Sequence, residues 1–465
     1  RSHYTPDRLT KRGVIEQIVK NHLDTPILHD YNGTWYVWDG KRWRPETVNA
    51  PLQIQTILLD ANDSYLGTLP KNADKELRDI SDKLDDNPGS LVNLAKTMAP
   101  LACNVEQFDQ KPFLLNCANG TLDLTNGRLT GHYQDDYLTR VSTIAYDSKA
   151  KCPTFDKFLQ EIFDGDTDLI EYVVRMLGYS LTGDSSEQKF WVWYGPSGQN
   201  GKSVLANIVR DILGTDYASE VSPKTLCGSE KQIPNDIARL RHCRILACRE
   251  PDQNAKFNES LIKSLVGQDT VVARFLFKEY FEFKPQFKLH VQTNHLPRAN
   301  AASDAIWRRL CVIPFNVRVD DKQKKRNLAQ ELVQNEGPGI LARLVRGALE
   351  HHKHGLCQPD AVTEATAAYR DAQRVLDSIS NTDSTAGTDF IATRVVRDQG
   401  AAVTKAELYE AYTEHCLYMD VVPVSEKLFG MTMKKAGYEH PSVQNYRIKL
   451  PSGEMARAWY GAKVA

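Results

Sequence analysis

The sequence predicts an α/β fold: an open sheet in the middle of the chain, a mixed α+β domain before it and a small helix-and-ribbon domain after it. Three observations predict this. Residues 190–194 form an apolar run that passes through a Gly-rich turn into Gly201-Lys202-Ser203 and a helical pattern. Two more apolar strands, 244–248 and 287–294, follow with helical stretches between, the alternation of an open α/β sheet. The pattern changes character near residue 150 and again over the polar run 378–388. The expected domains are therefore 1–150, 151–355, a helical segment and linker at 356–388, and 389–465.

The bulk composition narrows the function classes. With 58 basic against 59 acidic residues the chain is no polycation, so any nucleic-acid contact must concentrate its charge locally. The 9 cysteines are scattered with no C-x-x-C pair, which argues against a zinc ribbon or disulfide framework and for a reducing, cytoplasmic compartment. No apolar run reaches about 18 residues and no signal peptide is visible, so neither a membrane span nor export is expected. The chain opens on Arg1-Ser2-His3 rather than Met, and a longer natural protein is expected.

Taken in order, residues 9–19 have helical spacing. The aromatic stretch 31–43 (Tyr31, Trp35, Tyr36, Trp38, Trp43) is punctuated by Asn32-Gly33 and Asp39-Gly40 and predicts a small antiparallel meander. Its Lys41, Arg42 and Arg44 could help stack bases, but a β core with solvated turn charges is the preferred reading. Residues 51–110 read as helices with a polar, charged linkage over 71–87. Residues 113–146 turn to strands, with a turn at Asn126-Gly127, and 154–181 to helices.

The loop after 190–194 has the parts of a phosphate cradle. Glycines let backbone N–H groups converge on phosphate oxygens, and the helix N-terminus adds positive potential. Lys202 neutralises charge, and the Ser203 hydroxyl can ligate magnesium. The helix that follows carries Val204, Leu205, Ile208, Val209, Ile212 and Leu213, with a stop at Gly214. The spacing departs from the usual form: five residues separate Gly195 from Gly201, Pro196 stands where a glycine is normal, and Gly198 is expected to serve instead. Gln199 and Asn200 complete the loop.

Downstream, the strand 244–248 ends at Glu250 and Asp252, where a nucleotidase keeps magnesium- and water-directing carboxylates; Glu250 is the better candidate. A short helix with Lys263, a break at Gly267-Gln268-Asp269 and an extended run to Arg274 follow. Residues 275–285 alternate apolar positions about Lys278-Glu279, a hairpin with Lys278 near its tip. The strand 287–293 ends in Asn294, a side chain suited to a γ-phosphate or an attacking water. Trp307-Arg308-Arg309 precedes the last core strand.

In this order the motifs resemble a superfamily 3 helicase, with an AAA+-like ATPase core, and most closely the poxvirus, phage and plasmid primase–helicase branch. The resemblance is strongest over 187–320. It implies ATP and Mg²⁺ as ligands, held by Gly195, Gly198, Gln199, Asn200, Gly201, Lys202, Ser203 and Val204, with Ser203, Glu250 and Asp252 toward the metal. Glu250 would polarise water, Asn294 would sense the γ-phosphate, and Arg308 or Arg309 would be an arginine finger reaching a neighbour's ATP, which implies a homohexameric ring. The alternative for the arginines is a surface salt bridge. Lys278, supported by Lys263 and Arg274, would track single-stranded or forked DNA; the alternative is a solvated hairpin tip. A primase module, if the natural protein has one, is expected before Arg1, with replication proteins as further partners.

The run His351-His352-Lys353-His354 reads as a helix end suited to the dipole rather than a metal site. Beyond 388, Thr404 caps a helix (405–417), a second opens near Glu426, and strands follow at 444–450 and 455–460. This resembles a winged helix, with Lys427, Lys434, Lys435 and Arg447 as candidate DNA contacts; a protein-docking role is the alternative. Two rival functions share these features: a ring ATPase that loads or remodels without unwinding, and a sequence-specific DNA-binding regulator switched by nucleotide.

Overall fold

The computed structural model describes residues 10–464 except 31, 47–49, 70–74, 228–234, 253–254, 276–279, 320–326, 420–422, 425, 439–446 and 453. The chain divides into two compact units, Arg1–Pro297 with Arg308–Ala365, and Arg298–Trp307 with Thr366–Ala465.

The first unit begins with α1 (Lys11–Asn21), whose Gly13 N–H is capped by the Thr10 side chain. The meander follows as β1 (Ile27–Asp30), β2 (Trp35–Trp38) and β3 (Trp43–Glu46), joined on the β1 edge by β4 (Ala102–Cys103). Between β3 and β4 run α2 (Ala50–Thr68), α3 (Lys75–Asp85) and α4 (Pro88–Ala95). Helix α3 occupies most of the stretch expected as a charged linkage. Its Leu84 is fully buried with Val14, Ile18, Ile54, Leu58 and Leu91, so one apolar contact stripe suffices to order a polar sequence. Trp35 and Trp43 are buried and Arg42 is paired with Asp216, which fits the core reading of the meander rather than base stacking.

Strands β5 (Leu114–Cys117), β6 (Gly120–Asp123) and β7 (Arg128–Thr130) form a small antiparallel sheet. Its Leu115, Cys117, Leu122 and Leu124 share one buried cluster with α5 (Pro153–Ile162) and α6 (Thr167–Leu181). The change of pattern near residue 150 thus falls inside a continuous core. Buried Arg244 adds a tie, donating to the Pro112 and Leu114 carbonyls at 2.8 and 3.3 Å.

The central sheet holds β8 (Phe190–Tyr194), β9 (Ala218–Val221), β10 (Ile245–Arg249), β13 (Lys288–Thr293) and β14 (Leu310–Pro314), in the order β14-β8-β13-β10-β9 with every pair parallel. Helix α7 (Lys202–Tyr217) leaves β8 directly and breaks from helical geometry at Gly214, φ 72°. Short helices α8 (Pro223–Cys227), α9 (Asn235–Ala238) and α10 (Glu259–Val266) fill the connections. Strands β11 (Val271–Ala273) and β12 (Phe281–Phe283) pair as an antiparallel hairpin between β10 and β13. The short α11 (Asp304–Trp307) belongs to the second unit, while α12 (Leu328–His354) returns to the first and lies along α6. There two glycines decide the packing. A Cβ on Gly178 would stand 2.3 Å from the Ala348 nitrogen, and one on Gly347 2.4 Å from the Val174 carbonyl oxygen, so the backbones themselves touch. At the end of α12, His351 Nε2 meets Glu187 Oε1 at 2.9 Å and the ring lies over Tyr179.

Helix α13 (Asp360–Arg394) runs through 378–388, the run expected as a linker. The second unit continues with β15 (Val395–Thr404), α14 (Lys405–Tyr418), α15 (Glu426–Lys435), β16 (Arg447–Lys449) and β17 (Met455–Val464), the strands ordered β15-β17-β16. Thr404 and Glu407 form the full capping box that opens α14. Phe390, Tyr412, Phe429, Met433 and Trp459 form its core. Among the described residues, no helix is long and apolar enough to cross a membrane.

Candidate active site

Parallel registers level the carboxyl ends of the strands. Tyr194 pairs with Thr293 and Pro314, and Arg249 with Gln292. The residues just beyond these ends therefore share one edge of the sheet, where open α/β folds bind their ligands. They are Gly195, Glu250 and Asn294.

Lys202 is the first residue of α7 and is 6% exposed. Its Nζ donates to the Gly195 carbonyl (3.2 Å) and to Asn294 Oδ1 (2.8 Å). An ammonium has three N–H groups, so one is left over. Burial pushes the Lys202 pKa down to about 8, and the Glu250 carboxylate opposes the shift. Because lysine only donates, Asn294 must turn its carbonyl oxygen toward it, which leaves the Asn294 amide N–H groups for another acceptor. The Thr293 hydroxyl donates to the His295 carbonyl and accepts from the His295 N–H (3.0 Å), closing the turn that holds Asn294.

The loop itself answers the spacing question. A Cβ on Gly195 would stand 2.0 Å from Asn200 Nδ2, 2.7 Å from the Phe315 oxygen and 2.9 Å from Lys202 Nζ, so no other residue fits. Gly201 has φ +82°, and a Cβ there would meet Ile162 at 2.5 Å. Gly198, expected to stand in for the missing glycine, has open space around it and no left-handed φ; besides Gly201, the left-handed residue of the loop is Gln199 at φ 65°. Asn200 Nδ2 donates to the Ser197 carbonyl (2.7 Å) and the Val319 N–H to the Gln199 carbonyl (2.8 Å), pinning the loop. Ser203 is exposed and Val204 half-buried in the first turn of α7.

Glu250 is exposed, follows β10 directly and has φ 49°, with its N–H donating to the Gln292 carbonyl (2.8 Å). Asp252, also exposed, adds to the burial that pushes the Cys227 thiol up to about 11 and so lies toward α8. The set Ser203, Glu250 and Lys202 around a glycine-shaped cradle suits a magnesium–phosphate group, which takes few protein ligands and several oxygens from its nucleotide.

Arg308 and Arg309 lie at the other edge of the sheet. Phe190 at the start of β8 donates to the Arg309 carbonyl (2.8 Å), and Lys189 Nζ to the Arg308 carbonyl (2.7 Å). Arg308 is exposed; Arg309 is half-buried, with Nη2 3.4 Å from Gln188 Oε1. Burial and then Arg308 lower the Arg309 pKa, and Asp269 raises it. Lys263 pairs with Glu259 at 3.5 Å. Arg274 lies over the Tyr280 ring, 4.9 Å from its centroid, at the open end of the β11–β12 hairpin. The pairing Ala273 with Phe281 bounds the tip, but Lys278 lies outside the described residues. Lys434 is exposed on α15, while the side chains of Lys427 and Lys435 lie outside the described residues.

Sequence reasoning missed the far wall of the site. A cavity of about 500 Å³ is lined by Ile162, Phe163, Asp164, Asp166, Pro314 and Asn316. Ile162 also touches Gly201, 39 residues on in the chain. Only a close-packing constraint links them, and no motif signals it.

Residues 16–164 match the family described as D5 N terminal like, and residues 193–309 a family of unknown function, DUF5906. The Acanthamoeba polyphaga mimivirus protein named "Putative helicase L207/L206" is 29% identical over 57% of this chain and 30% of its own length. "Putative helicase 022R" of Frog virus 3 is 32% identical over 34% of this chain and 17% of its own. A "Putative primase" of African swine fever virus is 25% identical over 44% and 22%. The chain thus spans less than a third of the length of these relatives. The apo structure of the NrS-1 C terminal region aligns with 97% of this chain and 99% of its own, with a TM-score of 0.50 at 12% identity, a likeness of fold. The D5-type segment, viral relatives named as helicases and primases, and the motif order together support a superfamily 3 primase–helicase family for the chain.

Proposed function

We propose that the chain is the ATP-driven DNA helicase part of a primase–helicase, working as a homohexameric ring in replication of a virus, plasmid or other mobile element. The observation that carries this is the convergence of Lys202, Asn294 and Glu250 at one edge of the parallel sheet. The third Lys202 N–H and the loop amides would hold the phosphates of ATP, and the cavity beside Ile162 and Asn316 would take the nucleoside. Ser203 and Glu250 would hold Mg²⁺, which supplies charge neutralisation of the phosphates. The Asn294 amide N–H groups would meet the γ-phosphate, and the Glu250 carboxylate would orient the attacking water.

The arginines favour a ring. Four strand steps of β8, about 13 Å at 3.3 Å each, separate their edge from the loop. An arginine there serves a neighbour's ATP rather than its own. The hairpin tips of such a ring would line one channel, where Lys278 would follow the DNA backbone. Single-stranded and forked DNA are the proposed substrates.

Lys278→Ala is the direct test. Basal ATP hydrolysis should persist while strand displacement on forked DNA and DNA-stimulated hydrolysis fall at least about tenfold, given loss of a backbone phosphate contact. Unwinding at the wild-type rate would remove the helicase reading and leave the ATPase. A second check uses pH. The Lys202 amine is charged in the free protein below about pH 8 and neutral above it. ATP needs the charged form, so its Kd should rise above pH 8, by up to about tenfold per unit. Calorimetry in buffers of different ionisation enthalpy should register the proton taken up on binding.

A further inference from the structure

Between Asn294 and Arg308 the chain leaves one compact unit and returns to it. Asn294 follows β13 and Arg308 precedes β14, both strands of the first unit, yet Arg298–Trp307 belongs to the second unit with Thr366–Ala465. The stretch that joins the proposed γ-phosphate sensor to the proposed arginine finger is thus built into a different unit from the sheet that carries both.

Three residues of α13 hold the stretch there. Gln373, 4% exposed, accepts from the Ala299 N–H through Oε1 at 3.1 Å. Arg370 donates from Nε to the Ala301 carbonyl (3.2 Å) and from Nη2 to the Asp304 carboxylate. Tyr369, 2% exposed, meets the buried Trp307 ring edge to face with centroids 5.1 Å apart, and the Arg370 guanidinium lies 5.9 Å from the same ring's centroid. The Trp307 indole N–H donates to the Asn300 carbonyl (2.9 Å), which closes the stretch on itself. The Arg370–Asp304 pair alone would contribute little, because Asp304 is exposed. The buried aromatic pair and the buried amide acceptor contribute more, and they fix the stretch near both of its ends.

Arg308 is the next residue after Trp307. Its side chain is exposed and its carbonyl accepts from Lys189 Nζ at 2.7 Å. An exposed arginine loses conformational freedom when it meets a phosphate, and misplacing a reacting group by about 1 Å can cost about 10²-fold in rate. With Trp307 anchored before it and its own carbonyl anchored after it, the backbone at Arg308 has its direction set before any nucleotide arrives. We propose that Tyr369, Arg370 and Gln373 are positioning residues for Arg308: by holding 298–307, the second unit presents the arginine to the neighbouring subunit's ATP. This rests on the reading of Arg308 as a finger that acts on a neighbour.

The test uses the full chain carrying Arg370→Ala, or Asp304→Ala at the exposed partner. ATP turnover at saturation should fall at least about tenfold in Arg370→Ala and about threefold in Asp304→Ala. The Kd of a non-hydrolysable ATP analogue should stay within about twofold, since Lys202 and its loop are untouched. Mixed at equal ratio with Lys202→Met subunits, Arg370→Ala subunits should recover about a quarter of the wild-type rate, because their intact loops then meet intact, well-held arginines. A general loss of structure would not be repaired by a neighbour. Wild-type turnover in Arg370→Ala, a loss of ATP affinity in step with turnover, or no recovery where an Arg308→Ala mixture does recover would overturn this proposal and leave the shared site standing. No recovery in either mixture would remove the shared site, and this proposal with it. Should Arg370→Ala fail to fold, the same measurements on Asp304→Ala decide.

Discussion

Arg308→Ala should lower ATP turnover by about 10³-fold or more while leaving ATP affinity nearly unchanged, the behaviour of a group that meets only transition-state charge. Arg308 is exposed at the amino ends of the strands, with its backbone fixed by Lys189, whereas Lys202 and Asn294 stand at the carboxyl ends. A subunit cannot fold one edge of a parallel sheet onto the other, so in the proposed ring the defect should be repairable by a neighbour. Mixing Arg308→Ala subunits with Lys202→Met subunits, each inactive alone, should restore about a quarter of the interfaces at equal ratio, because heterologous ring contacts pair a good loop with a good arginine at random. No recovery at any ratio would exclude a shared site. Arg309 should behave differently: Gln188 and Asp269 engage it within the subunit, so Arg309→Ala should also lower the melting temperature.

Lys202→Met should cut ATP turnover at least about 10²-fold, the usual loss for a preorganised donor on developing charge, and should raise thermal stability at pH 7. Methionine keeps the aliphatic stem and opens no cavity. The stability gain follows from the buried amine: its pKa lies near 8 in the fold against 10.5 for an open chain, so the folded state pays to keep the proton. The gain should be full below pH 8 and fade between pH 8 and 10.5, where the wild type sheds the charge in its folded form. Melting curves across that range check it. A Lys202→Met protein no more stable than wild type at pH 7 would mean that the amine is better solvated than its surroundings indicate.

How far the sequence could be read depended on the range of the interaction. Local chemistry was legible. The strand–loop–helix at 190–213 and the Thr404 cap are written in adjacent residues, whereas the hairpin expected over 275–285 takes its first strand from 271–273 and its second from 281–283. Pairings across the chain were not. Nothing in the order of strands says that β13 inserts between β8 and β10, yet that insertion brings Asn294, rather than Glu250, to within 2.8 Å of Lys202. Gly198 misled because composition marks a glycine without saying whether its φ or its space requires one. Gln199 took the left-handed turn and Gly195 the tight space. The polar run 378–388 has linker composition but continues a helix already under way, since propagation adds one hydrogen bond per residue at little further cost.

One backbone angle carries a consequence for anyone seeking a sturdier version of this protein. Glu250 sits at φ 49°, a region that disfavours a side chain by about 1 kcal/mol and suits glycine. A screen that rewards heat resistance alone would be drawn to this position and would trade the carboxylate for a relaxed turn. With Glu250 orienting the attacking water as proposed, thermal robustness and catalysis would compete at this residue, so selection for the one must be paired with an assay for the other.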